Sequence, residues 1–178
     1  MRLACLAALL AAGACGSSTA PSSSIPPTIP APLHGEVTDP SGDAAVDARV
    51  PVSPDLVHAT ADVSAGTVTF VIQFVPGTFN PQTTRVSVVL DTDRDGTTGI
   101  RQGNGLGADY GLDFVAGSSL AAVTRADPAG CAAGQSCFNA VGSVPITMIA
   151  NGMQGSVRLS MLGNGDGRFN FQMRHTCS

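Results

Sequence analysis

The chain has no Lys and no Trp, and only one Tyr (Tyr110) and one Glu (Glu36). All nine of its basic residues are Arg, and every acid but Glu36 is Asp. Charged residues make up 12% of the sequence, about half the usual share of roughly 25%. With a net charge of −4 and few cations, the chain offers no basic face of the kind a nucleic acid requires. One Glu cannot form a Glu pair for acid–base work. No Gly-x-Ser-x-Gly and no His-Glu-x-x-His is present, so the familiar serine-hydrolase and zinc-protease arrangements are excluded. The apolar run Leu3–Ala12 is too short to span a bilayer, which takes about 20 residues. What is present bounds the rest. The 178 residues suit one domain, and an apolar content of 43% is enough to build a core.

The N-terminus reads as an address. Met1-Arg2 is a short positive region, and Leu3–Ala12 has the length of a signal-peptide core. Two readings compete for Ala12-Gly13-Ala14-Cys15-Gly16-Ser17-Ser18. Ala12-x-Ala14 fits ordinary signal-peptide cleavage. Small residues directly before a Cys resemble a bacterial lipobox, with Ala12 where Leu is usual. The second reading is favoured. It makes 1–14 the signal peptide and Cys15 the lipidated first residue of a protein anchored to the bacterial cell membrane or outer membrane. Either way the mature chain meets an oxidising compartment. Residues 16–33 are rich in Pro and Ser and carry no charge, which describes an extended tether. The expected division is therefore 1–14 signal peptide, 15–35 lipidated Cys and disordered linker, and 36–178 folded domain.

From residue 36 onward the apolar period is two. Val68, Phe70, Ile72 and Phe74 share one face, as do Val86, Val88 and Leu90, then Tyr110, Leu112 and Phe114. Val157 with Leu159, and Phe169, Phe171 and Met173, repeat the pattern near the end. Such alternation describes strands with one face buried and one wet. Turn signals separate them, among them Ala65-Gly66, Pro76-Gly77, Asp127-Pro128 and Asn151-Gly152. No long window has helical spacing; Ser160-Met161-Leu162 could form one helical turn. The expected fold is all-β, a single antiparallel β-sandwich of jelly-roll type with about eight strands.

Asp91-Thr92-Asp93-Arg94-Asp95-Gly96 is the sharpest chemical signal. Alternate carboxylates with a Gly at the sixth place make the first half of a calcium loop. The twelfth position holds Gln102 instead of Glu, and Val86–Leu90 is a strand, so an EF-hand is excluded. Two readings stay open: a strand-to-loop calcium site using Asp91, Asp93, Asp95 and Asp109, or a solvated acidic turn. Asp39, Asp43, Asp47 and Asp55 read as exposed turn carboxylates. The Gly103–Gly107 stretch does not open a helix, so it reads as a flexible loop feeding Asp109 and not as a phosphate cradle. Cys131 and Cys137 flank a small polar loop and are the favoured disulfide among the mature thiols, leaving Cys177 over.

Several segments carry a family likeness: Pro54-Asp55-Leu56-Val57, Pro76-Gly77-Thr78-Phe79-Asn80-Pro81, Leu90-Asp91-Thr92-Asp93, Thr98-Gly99, Gly107-Ala108-Asp109-Tyr110 and Leu162–Phe171. Together they resemble the family 9 carbohydrate-binding modules and the related DOMON sandwiches. The resemblance implies a bacterial secreted β-sandwich that binds a sugar, haem or calcium. Two departures bear on the ligand. Such modules stack sugars on aromatic rings, usually Trp, and here Trp is absent while Tyr110 reads as core. Haem relatives ligate iron through Met and His or Lys, and nothing in the spacing of His58, His175, Met148 and Met153 pairs them. The expectation is a non-catalytic lipoprotein whose calcium-stabilised module binds or supports something in the cell envelope. The alternative is a carbohydrate-binding module that takes its glycan in a groove. Its partners are then the membrane, through the lipid, and a glycan in the alternative case, with no nucleic acid.

Overall fold

The computed structural model describes residues 33–44, 52–163 and 165–177. Cys15 and the rest of the leader and tether before residue 33, as well as Asp47, lie outside the described residues. The chain forms β1 (Leu33–Thr38), β2 (Leu56–Ser64), β3 (Thr67–Phe74) and β4 (Thr84–Asp91), then two short strands, β5 (Ile100–Arg101) and β6 (Gly107–Ala108). After these come β7 (Tyr110–Phe114), β8 (Leu120–Ala126), the helical turn α1 (Pro128–Ala132), β9 (Phe138–Ile149), β10 (Gly152–Arg158) and β11 (Asn170–Cys177). β1 starts inside the span that composition assigns to the linker.

The fold is all-β. Nine strands form one curled antiparallel sheet in the order β1-β2-β3-β10-β9-β8-β7-β4-β11, and β5 pairs with β6 apart from it. Two positive-φ residues, Ala65 and Gly66, make the tight turn between β2 and β3, the geometry that suits the twist of a hairpin. β9 is the hinge of the sheet. Its pairing with β8 runs to Pro145 opposite Leu120, and its pairing with β10 begins at Ile146 opposite Gly155. Pro145 has no N–H for a ladder, so it belongs where one partner gives way to the next. A strand that changes partners in this way turns a sheet back on itself.

The core lies between the two halves. Phe70, Ile72, Val86, Val88, Leu90, Leu112 and Val123 are wholly buried. The Phe70 ring of β3 lies 6.2 Å from that of Phe171 on β11, at the other end of the strand order. Phe169, just before β11, is 6.1 Å from Phe70. Burying each such aliphatic or aromatic side chain contributes roughly 1.5–3 kcal/mol. A smaller apolar cluster lies on the outer face, where Val89 packs with Leu106 and Ala108 of the β5–β6 flap and with Ile100 and Phe138.

Two local readings are corrected, and the strand count is refined. The expected all-β fold of about eight strands is what forms, with nine strands in the main sheet and a short pair beside it. The Gly103–Gly107 stretch is a tight reversal that joins β5 to β6, closed by Gly105 N–H on the Gln102 carbonyl (3.0 Å) and Gln102 N–H on the Leu106 carbonyl (2.8 Å). Leu159 leaves the strand pattern and opens a 3₁₀ turn, Leu159–Leu162, and Phe169 precedes β11.

Cys131 and Cys137 are joined by a disulfide. Asp127 caps the turn that holds Cys131. Its Oδ1 accepts Gly130 N–H at 2.9 Å, and its Oδ2 accepts from Asn139 Nδ2 at 3.0 Å. Pro128 follows at the first helical position, where a missing N–H costs nothing. The disulfide thus ties this turn to the start of β9. Closing so short a loop is worth roughly 2.4 kcal/mol by chain entropy.

Candidate metal centre

β4 ends at Asp91 and its chain runs out into an acidic loop. Asp91 pairs with Asn170 at the start of β11. Asp109 enters from the other side, between β6 and β7. Its backbone is fixed at both ends: its N–H donates to the Leu90 carbonyl (2.8 Å) and its carbonyl accepts Ala126 N–H (2.7 Å). This fixed backbone brings Asp109 against the loop, where its Oδ2 accepts Thr92 N–H (2.8 Å), Thr92 Oγ1 (3.0 Å) and Asp93 N–H (3.3 Å).

Carboxylate oxygens of Asp91, Asp93 and Asp109 lie within 4.8 Å of one another. Asp91 is the decisive member. It is only 2% exposed. Its Oδ2 accepts from Asn170 Nδ2 at 3.3 Å, and its Oδ1 is buried with no hydrogen-bond partner. Leaving a buried acceptor unmade costs about 1–3 kcal/mol, and more when the group is charged. A buried oxygen with no partner, beside two further carboxylates, is a set of donors that could hold a cation.

Asp93 is held by its own loop. Its Oδ1 accepts Asp95 N–H (2.9 Å) and its Oδ2 accepts the Thr98 hydroxyl (2.8 Å). The Asp95 N–H, with the Thr98 hydroxyl second, holds the Asp93 carboxyl below its usual range. Asp95 is not brought into the group. Its Oδ1 accepts the hydroxyl (2.7 Å) and N–H (2.9 Å) of Thr97, and this turn lowers its own pKa, the hydroxyl first. Of the four expected ligands, the fold gathers Asp91, Asp93 and Asp109 and leaves Asp95 to cap its turn.

Two glycines shape the loop, for different reasons. The left-handed residue of the Asp91–Gly96 stretch is Arg94 (φ 61°), not Gly96. At Gly96 the flap backbone passes so close that a Cβ would sit 2.2 Å from the Gly105 carbonyl oxygen. Gly99 combines φ +61° with a would-be Cβ 2.2 Å from the Ala108 oxygen and 2.9 Å from Asp109 Oδ1. No side chain fits there without displacing Asp109. Sequence reasoning did not find Asn170. Its only signal was an Asn at the head of an alternating strand, with nothing to pair it to Asp91.

The other sequence candidates lie elsewhere. Asp55 is buried, and its Oδ2 accepts Gly42 N–H at 2.7 Å, so it pins a loop instead of turning in solvent as expected. Asp39 and Asp43 are exposed. His58 bonds Glu36 (2.9 Å) and Gln73 (3.1 Å), while Met153 is buried in the core.

The acid group opens onto a cleft of about 470 Å³, lined among others by Asp93, Gly99, Asp109, Tyr110 and Arg125. A second groove of about 380 Å³ lies on the outer face between β4, β7, β11 and the flap. Its cations are already engaged: Arg85 pairs with Asp113 at 3.4 Å, and Arg174 donates to Gln102 at 2.8 Å. No family model matches the chain, and no curated protein matches it.

Proposed function

We propose that this chain is a non-catalytic, lipid-anchored protein of the bacterial cell envelope whose β-sandwich holds a calcium ion at Asp91, Asp93 and Asp109 and serves as a binding or structural module. The observation that carries the reading is the orphaned, buried Oδ1 of Asp91 beside two further carboxylates. The donors are all oxygens, which selects a hard cation. Three carboxylates in one site favour calcium over magnesium, which keeps its waters and takes one or two. The likeness to family 9 carbohydrate-binding modules and DOMON sandwiches supports the same reading. So do the lipobox-like segment at Ala12–Cys15 and the disulfide, which suits export. The glycan-binding alternative draws on the cleft beside the acids, whose size is that of a small-molecule site.

Calorimetric titration of the full-length chain with calcium tests the metal. One site per chain is expected, and none in Asp91→Asn; a wild type that takes up no calcium contradicts the reading. Membrane fractionation of cells expressing the chain tests the anchor. Wild type should sediment with membranes, and Cys15→Ala should be released or left unprocessed. Equal partitioning of the two would rule out lipidation at Cys15.

A further inference from the structure

The cleft beside the acids holds opposite charges. Asp93 and Asp109 line one part of it and Arg125 another. Arg125 projects from β8, where it is cross-strand partner to Tyr110 of β7. The next residue, Ala126, donates its N–H to the Asp109 carbonyl, so the backbone itself sets Arg125 next to the acid group. Arg125 is exposed, and among the described residues it makes no hydrogen bond or ion pair. The cations of the outer groove differ, since Arg85 is neutralised by Asp113 and Arg174 is occupied by Gln102.

From this placement we infer that the cleft binds an acidic sugar, a hexuronate, through the bound cation and Arg125 together. The inference rests on the calcium reading of the acid group. Calcium takes six to eight oxygens, so three aspartates alone would not fill its shell, and two of them, Asp93 and Asp109, line the cleft. A sugar's hydroxyl and carboxylate oxygens are the hard donors such positions accept. Arg125 supplies the planar fork that a carboxylate fits in two parallel hydrogen bonds. The cleft, at about 470 Å³, admits one sugar ring with its water. The walls have no Trp for stacking, so recognition falls to charge and coordination. A neutral sugar brings no carboxylate for the guanidinium to pair with and so forgoes that charge-assisted contact, which is the source of selectivity.

Isothermal titration of the full-length chain with galacturonate, glucuronate, galactose and glucose tests this, in calcium and in EDTA. At least one uronate should bind in calcium, at least tenfold more tightly than its neutral counterpart. EDTA should abolish that binding. Arg125→Ala should weaken it tenfold or more and Arg125→Lys less, while both variants still take up calcium. Equal affinity for neutral and acidic sugars overturns the inference. So does uronate binding that survives EDTA or is unchanged in Arg125→Ala. If the protein takes up calcium and neither uronate binds, this inference fails and the calcium reading stands. If it takes up no calcium, both fall.

Discussion

Asp91 and Asp95 belong to one acidic stretch, yet the fold gives them opposite roles. Asp91 closes a buried strand and keeps an oxygen unbonded. Asp95 is exposed and satisfied by Thr97. Alternating spacing alone made them equivalent ligands. The difference lies in what comes next to each: β11 covers Asp91, and Asp95 is exposed among the described residues. Asp95→Asn should therefore retain calcium binding with at most a threefold loss, because an amide oxygen still accepts from Thr97. Asp109→Asn should lose binding by a factor of about 100 or more, on the order of the 2.7 kcal/mol that a hundredfold change represents. Calcium titration of the two variants side by side checks this, and equal losses would return Asp95 to the ligand set.

At the scale of elements, the clearest device outside the metal centre is the edge strand β1. It is held to β2 by side chains as well as by its ladder. His34 Nδ1 meets Asp62 Oδ1 at 2.6 Å, and His58 Nε2 meets Glu36 Oε1 at 2.9 Å. The Asp62 hydrogen bond, first among its causes, raises the His34 pKa above 6.5. The hydrogen bond from His58, again the first cause, lowers that of Glu36 below 4.5. A raised His contributes in full below its unfolded pKa, and that contribution is lost as pH rises through the folded value. A lowered Glu contributes in full above its unfolded pKa, and that is lost as pH falls through the folded value. Both act together between about pH 4.5 and 6.5, which is where β1 should be held best. These are exposed pairs, so the effect is small and sensitive to salt. Amide exchange in β1, corrected for intrinsic rates, should show greatest protection in that window, and His34→Gln should flatten its alkaline side.

How much of each element could be read in advance follows from its burial. β3 was legible because one face is in the core and the other is half-exposed, so its buried residues Val68, Phe70, Ile72 and Phe74 fall strictly on alternate positions. β9 was not, because it changes partners at Pro145 and is exposed along most of its length. Its sequence therefore has no clean period. The flap was misread because glycines there serve close backbone approach, and composition does not distinguish that from flexibility.

For the whole molecule, the curled sheet gathers a group of carboxylates from distant parts of the chain. Asp91 and Asp93 come from the end of β4, Asp109 from the entry to β7, and Asn170 from the head of β11. The grouping of Asp91 and Asp93 with Asp109, and the Cys131–Cys137 pair, were legible as placements, while Asp95 was not, because spacing does not show which carboxylate a loop turns outward. Asn170 was not, since its role depends on strand pairing across the sheet, and Arg125 is placed beside the acids by β8. The central claim is that an ion completes this convergence, and the melting temperature of the full-length protein tests it most directly. Extracellular calcium modules bind with dissociation constants of about 10⁻⁴ to 10⁻³ M. At about 0.1 mM affinity and about 2 mM calcium, linkage supplies roughly 1.8 kcal/mol. For a domain of this size that is a rise of roughly 4–7 °C over the EDTA-treated protein. Metal analysis of the treated sample must show that the ion has been removed. The account predicts that rise in wild type and its absence in Asp91→Asn. A metal-free wild type that melts at the same temperature with and without calcium would contradict it.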